Sequence, residues 1–131
     1  MGMLRSTTLR FVVAFALALT TACATTKSSP GATATIQVGM ASFYASRFHG
    51  RSTASGKRYN ERGMTAAHRT LPFGTRLRVT NLANSRSVVV TVTDRGPFRS
   101  HRLIDVSRRA ARKLGFERAG TARVRVEILH S

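Results

Sequence analysis

Apolar and polar residues alternate along several short stretches of the chain, which is the pattern of strands that bury one face. The alternation covers residues 36–44, residues 75–80 and residues 122–128, and residues 87–93 form a β-branched run typical of a buried strand. The six residues "NLANSR" between residues 80 and 87 are rich in Asn and Ser and predict a hairpin turn. The pattern therefore predicts a mainly β fold.

One segment has the spacing of a helix. Ser107 has the chemistry of an N-cap, Gly115 that of a helix stop, and three apolar residues share one face between them: Ala110, Ala111 and Leu114. Residues 45–74, by contrast, are polar, punctuated by glycine and without periodicity, and loops of that length in a compact domain are usually functional or disordered. Several short strands with one helix predict a small β-barrel.

The first 22 residues have the pattern of an export signal that is removed before folding. Arg5 and Arg10 precede nine apolar residues at 11–19, which is too short a run for a membrane-spanning helix of about 20 residues. Residues 23–35 are small and polar, as in a flexible linker. The folded domain is therefore expected to cover residues 36–131.

Cys23 is the only cysteine of the chain, and two interpretations of its position stay open. It follows small residues in "LALTTAC", as the acylated cysteine of a bacterial lipoprotein does, and a single free thiol in an oxidising compartment is otherwise a liability. Ordinary signal cleavage after Ala24 fits the same segment. We expect the lipidated form, anchored in the cell envelope and facing the periplasm, with the outer membrane as the expected location.

The chain is strongly basic, with 22 Lys and Arg residues, five acids and a net charge of +17. Such a charge raises the local concentration of anionic polymers, and nucleic acid is the commonest polymer of this kind for basic proteins. An export signal argues against nucleic acid as the partner. Envelope polymers and anionic lipid surfaces therefore remain.

Most sequence motifs of known catalytic sites are missing. Residues 50–58, "GRSTASGKR", fail as a phosphate-binding loop, because the glycine spacing is one residue too long and Arg58 stands where Ser or Thr is needed. The sequence has no GxSxG, no HExxH, no cysteine pair and no ligand spacing among its four histidines. We therefore expect neither a metal nor another cofactor, and carboxylate chemistry remains.

Two of the five acids flank one turn, Asp94 after the buried-looking strand and Asp105 before the helix cap. Each has a structural explanation, because Asp94 can bond to backbone amides around Gly96 and Asp105 can stabilise the helix N-terminus. Glu117 and Glu127 are expected on the surface. On the residues alone, a catalytic role for the two aspartates stays open.

Three long stretches of the sequence occur together in one order: "GMASFYASRFHGRSTASG", "MTAAHRTLPFGTRLRVTNLANSRSVVVTVTDRGPF" and "RLIDVSRRAARKLGF". They resemble the rare lipoprotein A family of septal-ring lytic transglycosylases, and the similarity covers residues 39–129. The resemblance implies a six-stranded double-psi β-barrel with one or two short helices. It also implies an endolytic enzyme that cleaves peptidoglycan between N-acetylmuramic acid and N-acetylglucosamine without water. The products carry 1,6-anhydro ends, and the preferred strands lack stem peptides.

The same resemblance implies which residues act on the glycan. Asp94 and His68 would be catalytic, with Asp94 as the acid–base residue and His68 orienting or sharing its proton. Asp105 would position the sugar in a groove that His68 also faces. Three further residues would contact the substrate: Tyr44, Arg95 and Glu61.

One segment departs from the family pattern. Where members read Gly-Glu-x-Tyr-Asp, this chain reads "GKRYN" at residues 56–60, with Lys57 and Asn60 in place of the two acids. Expansins have a first domain that resembles this barrel, so a non-catalytic protein that binds or loosens the wall is the alternative function. Because the sequence stops at Ser131, no SPOR-type glycan-targeting domain is expected after the barrel.

Overall fold

The computed structural model describes residue 2 and residues 35–130. The predicted export signal, Cys23 and the linker fall almost wholly outside these residues. In chain order the elements are β1 (Ile36–Phe43), a 3-10 turn (Ser46–Phe48), β2 (Thr65–Ala67), β3 (Arg76–Asn81), β4 (Ser87–Asp94), β5 (Arg102–Val106), α1 (Arg108–Leu114) and β6 (Ala122–Leu129). Within residue 2 and residues 35–130, no helix has the length and apolar character needed to cross a membrane.

The six strands close into one barrel in the order β1-β5-β2-β4-β3-β6. β1 runs parallel to β5 and β2 runs parallel to β4, whereas the four other neighbouring pairs are antiparallel. Closure pairs both edges of every strand of the barrel, which removes the exposed edges that favour aggregation. The predicted six-stranded barrel is confirmed, and β2 and β5 are strands that the periodicity did not identify.

The barrel interior is filled by apolar side chains that follow the alternation in the sequence. On β6, Val124 and Val126 are buried while Arg123 and Arg125 are exposed, so one face of the strand points inward. Burying each Val, Leu or Phe side chain stabilises the fold by roughly 1.5–3 kcal/mol. The core residues are Ala41, Ala66, Leu77, Val79, Val90, Val92, Ile104, Val106, Ala110, Ala111, Leu114, Phe116, Val124 and Val126.

The predicted hairpin and the predicted helix are both confirmed, and they contact each other. Ser107 caps α1 through its side chain, and Gly115 ends the helix with a φ of 80°. The side-chain amides of Asn81 and Asn84, in the β3–β4 hairpin, donate to the Leu114 carbonyl at 2.8 and 2.9 Å. The hairpin therefore satisfies a carbonyl that α1 leaves free at its C-terminus.

Residues 45–74 contain more structure than their sequence predicts. They include the 3-10 turn, an antiparallel bridge between Ser52 and Arg58, and the short strand β2. The Ser55 N–H donates to the Thr93 carbonyl at 3.1 Å, so this segment lies against the end of β4. Of the two expectations for the segment, disorder is wrong, because backbone pairing orders it; a functional loop stays a prediction.

Candidate functional site

The two aspartates that flank the turn come together across β2. Ala67 is the register partner of Asp94 in β4 on one side and of Asp105 in β5 on the other. Two strand spacings separate the backbones of the aspartates by roughly 10 Å. Both residues line one groove of about 530 Å³. The expectation that they share a groove is confirmed.

The carboxylate of Asp94 accepts three hydrogen bonds. Its Oδ1 atom accepts from the Ala54 N–H at 2.8 Å and from the Arg95 N–H at 2.9 Å. Its Oδ2 atom accepts from the Tyr44 hydroxyl at 2.6 Å. Asp94 therefore does bind backbone amides, as a turn residue would, but one donor comes from the distant loop at Ala54. The carboxylate joins three separate segments at the groove wall.

Tyr44 connects Asp94 to the beginning of α1. Burial, followed by the hydrogen bond to Asp94, raises the pKa of the Tyr44 hydroxyl, so it stays protonated and can donate. The Tyr44 ring packs on the ring of Tyr59, with 4.6 Å between centroids. The Tyr59 hydroxyl accepts from the Arg108 N–H at 3.2 Å. Because Tyr59 is almost fully buried, the position of Tyr44 is well defined.

Asp105 lies within β5 and is not a charge at the helix N-terminus. The Ser42 hydroxyl donates to its Oδ1 atom, and the two residues are register partners on β1 and β5. Ser42 is buried, so this contact holds one oxygen of Asp105 against the neighbouring strand β1. The explanation by helix charge is wrong, since α1 begins only at Arg108 and has Ser107 as its cap.

Arg95 lines the groove, but its guanidinium is committed elsewhere. The Nη1 atom donates to the carbonyls of His68 at 3.2 Å and of Leu71 at 2.7 Å. The guanidinium carbon lies 4.0 Å from the centre of the Phe73 ring, within the range of a cation–π contact. Arg95 forms no ion pair, because the ion pairs among residues 35–130 are those of Glu117 with Arg108 and Arg112. Arg95 thus ties the segment after β2 to the end of β4.

His68 is not among the residues that line this groove, and the expectation that it faces the two aspartates is corrected. The side chain is buried with 4% exposure. Nδ1 accepts from the N–H groups of Thr70 and Leu71, each at 3.2 Å, and Nε2 lies 3.0 Å from Gln37 Oε1. Burial and the positive charges of Arg95 and Arg69 lower the pKa of His68. A neutral imidazole with Nε2 protonated satisfies all three contacts.

Glu61 lies in a different cleft and does not line the groove of the aspartates. That cleft, of about 490 Å³, is lined by Glu61 and four arginines: Arg62, Arg108, Arg109 and Arg112. The sequence could not show that Glu61 and Asp94 belong to different clefts, because Glu61 directly follows residues 56–60, where the family pattern has its acids. Glu61 therefore does not share the groove of Asp94, and contact between Glu61 and the substrate stays a prediction.

Comparison with known proteins identifies the family of this barrel. The sequence profile described as "Lytic transglycolase" matches residues 36–126. The chain belongs to the lytic transglycolase family. A family member from Pseudomonas aeruginosa, named endolytic peptidoglycan transglycosylase RlpA, is 59% identical over 90 residues, which are 69% of this chain and 26% of that protein. The protein of the same name from Haemophilus influenzae is 50% identical over 106 residues, 81% of this chain and 37% of that protein.

Solved structures with this fold include proteins of other kinds. The Streptomyces papain inhibitor matches with a TM-score of 0.60 and 21% identity over 73% of this chain and 96% of that chain. A Clavibacter michiganensis expansin matches with a TM-score of 0.59 and 23% identity over 74% of this chain and 52% of that chain. At such identities the likeness concerns the fold alone.

Three groove contacts of this family member were not predicted from its sequence. The N–H of Ala54 reaches Asp94 from a loop without periodicity, and no local pattern indicates that contact. Arg69 donates to the carbonyls of Pro97, Arg99 and Arg102, about thirty residues along the chain. Phe98 lines the groove with 86% of its surface exposed. An apolar residue directly after Gly-Pro was the one signal available in the sequence. Across residues 35–130 no cluster of three His, Cys, Asp or Glu side chains could hold a metal ion.

Proposed function

We propose that this chain is an endolytic lytic transglycosylase that cleaves peptidoglycan strands and leaves 1,6-anhydro ends. Its preferred substrates would be strands that lack stem peptides. The proposal is supported by membership of the lytic transglycolase family over residues 36–126. The observation that carries it is the Asp94 carboxylate, which borders an open groove and contacts the Tyr44 hydroxyl at 2.6 Å. Asp105 lines the same groove two strands away.

One carboxylate can perform both proton transfers of this reaction. Protonated Asp94 would give its proton to the glycosidic oxygen as the bond to C1 of the muramic residue breaks. The C6 hydroxyl of that residue would then attack C1 and return its proton to Asp94. No water is consumed, because the C6 hydroxyl of the substrate is the nucleophile. Hydrolases need a second carboxylate for this step, either as the nucleophile itself or to activate a water molecule. Holding the C6 hydroxyl close to C1 supplies the proximity contribution.

The neighbours of Asp94 have distinct roles in this proposal. Tyr44 and the N–H groups of Ala54 and Arg95 hold the carboxylate in place, and the hydroxyl of Tyr44 can accept when Asp94 is protonated. Asp105 would bind hydroxyl groups of the sugar. His68 would act as a positioning residue, since its backbone N–H donates to the Asp94 carbonyl at 3.1 Å and its imidazole orders the next turn.

The alternative is a non-catalytic protein that binds the wall. It is favoured by Lys57 and Asn60, which stand where the family pattern has acids and which are both exposed. The loop that carries Lys57 also supplies the Ala54 N–H to Asp94. If the missing acids take part in proton transfer, the groove would retain binding and lose cleavage.

Mass spectrometry of digested glycan strands separates these functions. Wild type should release products with anhydro ends, and Asp94→Asn should reduce the rate by roughly 10²–10⁴-fold, as loss of a general acid does. Glu127→Gln is the matched control, since it removes one charge from β6 outside the groove. Products at equal rates from wild type and Asp94→Asn would refute the assignment of Asp94. If wild type and both variants bind strands and none of them forms products, the non-catalytic alternative is established.

We also propose that Cys23 is lipidated and holds the barrel at the envelope, with the outer membrane as its location. The proposal is supported by the small residues before Cys23 and by the apolar run at residues 11–19. The peptidoglycan-facing barrel would then act within the reach of its linker, residues 23–35.

A further inference from the structure

Phe98 is an aromatic residue that the fold leaves in water at the edge of the groove. Its exposure of 86% is higher than that of the four other exposed large apolar residues among residues 35–130. Single exposed apolar residues are common and carry no functional meaning by themselves. Phe98 differs in its place, because it lines the same groove as Asp94 and Asp105.

The backbone on both sides of Phe98 is held by one guanidinium. Arg69 Nε donates to the Pro97 carbonyl at 2.7 Å, and its Nη2 donates to the carbonyls of Arg99 at 2.6 Å and Arg102 at 2.9 Å. The planar fork of an arginine can reach several acceptors in a defined geometry, which a lysine cannot do. Pro97 is also buried. The exposed ring therefore projects from a fixed turn.

The neighbours of Phe98 select the kind of ligand. A pyranose ring has hydroxyl groups at its rim and a face of C–H groups, and the groove offers carboxylates for the first and an aromatic face for the second. The negative face of an aromatic ring attracts such polarised C–H groups. Four arginines line the same groove (Arg47, Arg95, Arg99 and Arg102), so its charge also suits an anionic lipid surface. The aromatic face beside the carboxylates favours the sugar, and a titration with anionic vesicles is needed as the contrast.

We propose that Phe98 is a platform on which one sugar ring of the glycan strand packs, and that Arg69 is the positioning residue that holds this platform. The inference rests on the proposed function for the identity of the glycan. It assigns specificity to a residue that touches the strand away from the broken bond. Such a contact is made before and during the reaction, so its loss should raise KM and leave kcat nearly unchanged.

Steady-state kinetics on peptide-free strands test the platform. Phe98→Ala should raise KM by about five- to tenfold, the range expected for one aromatic contact. Leu82→Ala is the matched control, because Leu82 is an exposed apolar residue of the hairpin outside the groove, and its KM should equal that of wild type. An unchanged KM for Phe98→Ala, with cleavage intact, would refute the platform alone.

A second measurement does not depend on cleavage. The chain has no tryptophan, so Phe98→Trp introduces a single fluorescent reporter at the platform. In an Asp94→Asn background, in which turnover should be roughly 10²–10⁴-fold slower, titration with strands should shift the Trp emission in a saturable way. If wild type forms no anhydro ends, the same titration still decides whether the ring binds glycan. No shift with strands, or a shift only with vesicles of anionic lipid, would overturn the proposal.

The role of Arg69 is tested by coupling. Arg69→Lys keeps the charge and loses the fork, so it should raise KM about as much as Phe98→Ala does. In the Phe98→Ala background, Arg69→Lys should add no further increase, because the platform it positions is already absent. Independent, additive increases in KM would show that Arg69 acts in another way. The thermal midpoint of each variant separates these effects from partial unfolding.

Discussion

The three hydrogen bonds of Asp94 make it a structural residue as well as a catalytic candidate, and two substitutions separate these roles. Asp94→Asn keeps an oxygen for the N–H groups of Ala54 and Arg95. Its new amide would face the Tyr44 hydroxyl, which can rotate and accept. Asp94→Ala removes all three acceptors. The two variants should therefore be equally inactive and differ in stability.

The difference follows from which donors lose their acceptor. Tyr44 and Arg95 are half-buried, whereas Ala54 is exposed and its N–H can bond to water. A buried donor left without a partner costs about 1–3 kcal/mol. Because both donors are only half-buried, each should cost about 1–2 kcal/mol, the lower half of that range. Asp94→Ala should therefore lower the free energy of unfolding by about 2–4 kcal/mol, while Asp94→Asn should lose less than about 1 kcal/mol.

Urea denaturation followed by circular dichroism measures both values, given that the m-value stays constant. Tyr44→Phe extends the test, because it removes one donor and should reduce the cost of Asp94→Ala when the two are combined. Equal losses of stability for Asp94→Asn and Asp94→Ala would contradict this prediction, since the charge itself would then be the stabilising feature. Unchanged stability of Asp94→Ala would contradict it as well.

Four further predictions concern other parts of the protein. The folded pKa of His68 is lowered by burial and by Arg95 and Arg69, so the unfolded chain takes up its proton first, as pH falls through about 6.5. The free energy of unfolding should therefore decrease from about pH 7 to pH 5, and a His68→Gln variant with the same pH slope would contradict this. Cys23→Ala should release the protein from membranes or block its processing, and a wild type found equally soluble on fractionation would refute lipidation. Binding to purified sacculi should weaken with added salt, because exposed charges are screened over about 8 Å at physiological ionic strength; binding that is flat with salt would leave the arginines as a solubilising surface. Ser107→Ala should lower the free energy of unfolding by about 1–2 kcal/mol, through loss of the helix cap and of the bond to the Gly63 carbonyl, and a wild-type urea midpoint would contradict that estimate.

Local elements of this protein could be predicted from its sequence because their signals are local. The alternation of β6 reports one buried face, and the Ser107 cap and the Gly115 stop define α1 to the residue. The "NLANSR" hairpin joins β3 and β4 as predicted. The family resemblance extended this to the barrel and to the shared groove of the aspartates. These features depend on residues that are neighbours along the chain, or on long stretches that match the family as a whole.

How distant segments meet depends on the tertiary structure and has no local signal in the sequence. β2 has three residues, too few for a periodic pattern, yet its Ala67 brings Asp94 and Asp105 to one groove. The resemblance places His68 at the groove of Asp94, but its side chain points elsewhere, because the direction of a side chain depends on strand register and on partners far along the chain. Glu61 lines a separate cleft. The hold of Arg69 on the turn of Phe98 has the same origin, since it bridges about thirty residues. Periodicity records which face of an element is buried, and contains nothing about which other element covers it.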